Sequence, residues 1–128
     1  MSSLEQSDKE AAAVQQPGHP RVTLDDIKAN IASADYVNAF DAVNHSRAIP
    51  VPPGEPVATA PQALRVLTLC IATTQAGFTI VGKSAPADPA NFDEALGQKL
   101  AYEDCIRQLW PLMGFALRER LHAEAKVN

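Results

Sequence analysis

The stretch NFDEALGQKLAYEDCIRQLWPLMGFALRERLHAEA, from Asn91 to Ala125, constrains the fold more than any other part of the chain. Its apolar residues recur at helical spacing, and it contains one internal proline. Phe92, Leu96 and Leu100 form one apolar row; Ala101, Cys105 and Leu109 form a second, which Gly97 extends with a small surface for close contact. Glu103 and Arg107 stand four apart in the order that supports a helix, worth about 0.3 kcal/mol. Two caps are open for its start: Asp88 with Pro89 at the first helical position, or Asn91 with Glu94 three residues on. Pro111 lacks the N–H of an interior helical residue, so a kink or a restart is expected near Trp110.

Upstream, APQALRVLTLCIATTQAG reads as a second helix. Pro61 suits its first turn, Gly77 suits the position just past its end, and the apolar residues from Ala63 to Ala72 cover most of its circumference. A helix apolar nearly all round is a central one, enclosed by others. GFTIVG then forms a short β-favouring run bracketed by glycines. One strand cannot satisfy its own backbone. Its expected partner is either the extended segment near Ala48 to Val51 or the same strand of another subunit.

Order begins with RVTLDDIKANIASADY. Thr23 and Asp26 make a capping-box-like start, flanked by Val22 and Ile27 at the staple positions. Leu24, Ile27 and Ile31 place one helix face toward a core, and Tyr36, Val37 and Phe40 carry helical spacing on to about Val43. Residues 1–20 are polar and end in Pro17-Gly18-His19-Pro20, which reads as a disordered tail. Prolines at 50, 52, 53, 56 and 61 make residues 44–61 a loop. The expectation is a mainly α, α+β chain. A tail at 1–20 precedes a single domain at 21–128, with a central apolar helix, a kinked C-terminal helix and one short strand or hairpin.

GFTIVGKS, Gly77 to Ser84, spells a phosphate loop. The chemistry needs a strand before the loop, converging amides within it and a helix starting at its Lys-Ser. Here the middle residues are bulky and β-branched, and two prolines follow within five residues of Ser84. The spelling is therefore read as a strand with glycine hinges, in which Lys83 and Ser84 act only as ordinary side chains. Cys70 and Cys105 lie in apolar stretches with no second ligand at metal spacing, so two reduced buried thiols are expected and no metal or cofactor. The acidic pairs Asp25-Asp26, Asp93-Glu94 and Glu103-Asp104 point to different sides of a helix, which suits solvated faces rather than catalysis. Trp110 and Phe115 read first as core or interface anchors.

The formal charge of −4 argues against general nucleic-acid binding. No apolar run is long enough to span a bilayer, and MSSLEQSDKEAAAVQQPGHP has no signal-like core, so a cytoplasmic protein is expected.

In sum, RVTLDDIKANI with its later Tyr, then LTLCIATTQAGFTIVGKSAPADPANFDEALGQKLAYEDCIRQLWPLMGFALRERL, resembles a family of small phage and prophage proteins. The family is named after products of coliphage N4 (gene forty-nine) and Shigella phage Sf6 (gene sixty-six). Lys83, Pro86 and Met113 depart from its usual pattern. The resemblance implies a phage accessory protein in a bacterial host cell and supplies no catalytic residues. The expected function is non-enzymatic counter-defence, in which a homo-oligomer sequesters a nucleotide-derived immune signal. Candidate contacts are Thr79, Lys83, Ser84, Asn91 and Arg107, with Trp110 as a stacking surface. The alternative is a protein-interaction module or structural oligomer without a small-molecule ligand.

Overall fold

A computed structural model describes residues 2–48, 54 and 58–127. Four helices and a three-stranded antiparallel sheet follow one another as α1 (Ser3–Val14), α2 (Leu24–Asn30), β1 (Ile31–Asn38), α3 (Ala39–Ala48), β2 (Thr68–Thr74), β3 (Thr79–Ser84) and α4 (Glu94–Val127). The strands are ordered β1-β2-β3, and α4 packs across one face of β2 and β3. The fold is mixed α+β with a long C-terminal helix.

The central apolar helix is absent. Residues 62–66 form a short 3-10 turn, and the chain then enters β2. Thr68, Cys70, Ala72 and Thr74 are buried in strict alternation, a period of two that no helix produces. Gly77 does not end a helix. It takes φ +87° in the tight turn joining β2 to β3, where its N–H donates to the Thr74 carbonyl at 2.9 Å. The partner of the GFTIVG strand is thus β2 of the same chain, with Ile71 opposite Val81 and Cys70 opposite Gly82. Of the expected partner segment, only Ala48 is among the described residues, and it ends α3.

The start of α2 forms as read. Thr23 Oγ1 accepts from the Asp26 N–H and the Asp26 carboxylate accepts from the Thr23 N–H, a full capping box. Helical spacing does not extend past it. Ile31, Tyr36 and Val37 lie in β1, and a new helix starts only at Ala39, where the Asn38 side chain caps Phe40 and Asp41. Residues 44–48, expected in the proline-rich loop, are the end of α3. Most of the rest of that loop lies outside the described residues.

The segment read as a disordered tail is also corrected. Ser2 caps α1, Leu4 is buried in the core cluster, and Asp8 is tied to the start of α2. The polar composition hid this, because the helix is held by one apolar anchor and one ion pair rather than by an apolar stripe.

Neither proposed residue caps α4. Asp93 does so, accepting from the Leu96 N–H at 2.8 Å, while Asp88 caps the 3-10 turn Pro89–Asn91. The helix runs unbroken through Pro111, so there is no restart. The proline leaves the Arg107 carbonyl without its intrahelical donor, and it sits on the exposed side of the helix, where water can replace that bond.

Candidate functional site

The six sequence candidates do not converge. Alternation along β3 turns Thr79 and Lys83 to the face away from α4, and Ser84 to the opposite face, opposite Thr68. Asn91 ends the 3-10 turn and is exposed. Arg107 lies on α4 with its guanidinium 3.6 Å from Glu103 and 3.2 Å from Ser3 Oγ. Trp110 packs against the core, as an anchor should. The phosphate-loop spelling has no loop: Thr79 to Ser84 are strand throughout, and no helix begins at Lys83.

Side chains of α4 reach the outer edge of β3. The Lys83 N–H donates to Asp104 Oδ2 at 2.9 Å, and Gln108 Nε2 donates to the Val81 carbonyl at 2.8 Å. Both are groups that β2 does not reach, so α4 side chains occupy part of this edge.

The thiols carry no evident chemistry. Cys105 Sγ donates to the Cys70 carbonyl at 3.5 Å, and both residues are fully buried. Burial, followed by the neighbouring Cys70 thiol, pushes the Cys105 thiol up to about 12. Neither thiol is therefore a ready nucleophile at neutral pH. Tyr36, beside Cys70, is likewise raised to about 12, mainly by burial.

A different place gathers functional groups. Residues 20–30 and the second half of α4 enclose a cleft of about 580 Å³, walled by Val22, Asp26 and Asn30 on one side and Met113, Leu117 and Arg120 on the other. Arg21 stands at its edge and is held in place from α1. Its Nη1 donates to Asp8 Oδ1 at 2.9 Å and its Nε donates to Gln15 Oε1 at 2.9 Å. The same Asp8 oxygen accepts from the Leu24 N–H at 3.0 Å, which locks α1, Arg21 and α2 together. Asn30 Nδ2 approaches Met113 Sδ at 3.6 Å across the cleft floor. Arg120 stands at the rim, largely exposed and 3.6 Å from Glu124.

Sequence reasoning missed this cleft. It treated residues 1–20 as a disordered tail and gave the second half of the C-terminal helix no part in a site. The available signal was the spacing of Met113, Leu117 and Arg120 on one face of the helix.

The Arg21 hydrogen bond, then the Leu24 N–H, hold the Asp8 carboxyl below its usual range. A carboxyl depressed on folding adds stability that is complete above its unfolded value, about 3.9, and is lost as pH falls through the folded value. Asp8→Asn is therefore expected to be less stable than the parent at pH 7, and the difference should shrink as pH falls below about 4. Urea melts at both pH values read this directly. A difference that does not change with pH would remove the carboxylate from the account.

Among the described residues no group of three or more His, Cys, Asp or Glu side chains could hold a metal, and no helix is long and apolar enough to cross a membrane. The family model for the phage protein family N4 Gp49/phage Sf6 gene 66 matches residues 22–121, and the chain belongs to that family. No curated protein and no solved structure matches the chain.

Proposed function

We infer that this member of the N4 Gp49/Sf6 gene 66 phage family acts by binding rather than by catalysis, as an accessory protein that sequesters a small anionic host ligand. The α2–α4 cleft carries the reading. Its volume of about 580 Å³ lies within the range of small-molecule sites, and it pairs an apolar wall with two arginines. Val22, Met113 and Leu117 suit the face of a base, while Arg21 and Arg120 suit phosphate oxygens. A nucleotide-derived immune signal combines those chemistries, and withdrawing it from the host would be a counter-defence.

Calorimetry against cyclic and ADP-ribose-type nucleotides tests this. Binding by the parent protein and a loss of at least about tenfold in affinity for Arg120→Glu are expected, since charge-assisted contacts are worth about 1.5–3 kcal/mol. Silence across the panel removes the sequestration reading.

A second reading has its own observation. Leu112 and Phe115 on α4 are 47% and 68% exposed, large apolar side chains of the kind that anchor protein partners. Pull-down from infected cells separates the two: a partner captured by the parent and lost with Phe115→Ala supports an interaction module, whereas a sequestering protein needs none.

A further inference from the structure

Among the described residues the sheet has one face covered by α4 and one bare face. Alternation puts Ile71 and Val81 opposite each other on the bare face, 37% and 53% exposed, with Leu69 and Val37 in the adjacent row. Water-facing strands of an antiparallel sheet are normally polar, so an aliphatic centre is unusual there. Two charges flank it: Asp35 on β1 opposite Ile71, and Lys83 on β3 opposite Leu69. Among the described residues neither side chain makes an ion pair or a side-chain hydrogen bond. They have opposite sign, sit on opposite edge strands, and are offset by one row.

The geometry points to a second copy of this chain as the occupant of the bare face, related by a two-fold axis running along β2. Such an axis exchanges β1 and β3 and keeps each row in place, as an isologous interface requires. Ile71 then stacks on its symmetry mate and Leu69 on its own. Asp35 lies over the partner's β3, one row from the partner's Lys83, and the same pairing repeats on the other side. Sheets packed face to face stand about 10 Å apart. With an offset of about 7 Å along the strand, a lysine side chain spans the gap to the carboxylate. The charges thus select this pairing over an unrelated apolar partner, which would leave both without a counter-ion. Asp104 and Gln108 take up two of the outward backbone groups of β3, which disfavours edge-to-edge pairing there relative to packing on the face. The inference is independent of the α2–α4 cleft.

Three strands by three rows cover less than the roughly 800 Å² per partner of a standard interface, so the dimer should dissociate on dilution. Sedimentation across a wide dilution series is expected to show mass rising from 13.7 kDa toward twice that value. Ile71→Lys should weaken association by about tenfold or more, with the folded circular-dichroism spectrum retained. Asp35→Lys and Lys83→Asp should each weaken it about fivefold, and the two together should restore it to within about twofold. A monomer at every concentration overturns the inference, as does a dimer indifferent to Ile71→Lys. A double reversal no better than the single ones overturns the two-fold geometry.

Discussion

Gly82→Ala is expected to cost about 3 kcal/mol and to lower the melting temperature by about 10 °C. The glycine is required by approach distance and not by backbone conformation, since Gly82 is absent from the glycines with positive φ. A Cβ at Gly82 would collide with the Ala101 carbonyl oxygen, and would meet Cys105 Sγ at 2.7 Å and the Cys105 N at 2.9 Å. Two of those atoms are helix backbone, so relief requires moving α4 away from β3. That movement would strain the Lys83–Asp104 and Val81–Gln108 bonds at the sheet edge.

Two controls sharpen the test. At Gly97 an added Cβ meets mainly the Thr68 hydroxyl, at 2.7 Å, and a side chain can rotate. Gly97→Ala should therefore cost less, all the more because alanine favours the helix by about 1 kcal/mol. Gly114 has nothing within 4 Å of an added Cβ, so Gly114→Ala should stabilise by up to about 1 kcal/mol. Thermal unfolding of the three variants ranks them. Equal losses for Gly82→Ala and Gly97→Ala would mean that α4 does not lie so close to β3.

What was legible in the sequence was mostly local. The Thr23–Asp26 capping box, the long C-terminal helix and the buried thiols each depend on residues within a few positions of one another. The misreading of residues 61–76 has a specific cause. On β2, Cys70 and Ala72 face α4 while Leu69 and Ile71 occupy the bare face, so apolar residues on both sides erased the period of two. The available counter-signal was β-branching: Thr68, Ile71, Thr73 and Thr74 fall within seven residues, followed by Gly77 at turn distance.

The candidate site was harder to foresee, because its walls come from distant parts of the chain. Arg21 is positioned by Asp8 and Gln15, and the cleft closes only when α2 meets the far half of α4. Local patterning carries no information about such contacts. Lys83 was singled out for its place in a motif; its actual setting is a bare sheet face beside aliphatic neighbours.

Ile27→Ala carries the other large expected effect, a loss of about 3–4 kcal/mol. Ile27 is fully buried and belongs to the same core cluster as Ile106, on the side where α2 docks against α4. Truncation removes three carbons from a site walled by two helices, and helices fixed by Asp8 and the capping box cannot close the void cheaply. The same truncation at Ile71 should cost less than about 1 kcal/mol when measured at dilutions where the chain is monomeric, because that side chain is already in partial contact with water. Denaturant melts of the pair therefore test the layering of the fold. An Ile71→Ala loss as large as that of Ile27→Ala would mean that a single chain covers both faces of β2, and that no face remains for a second copy.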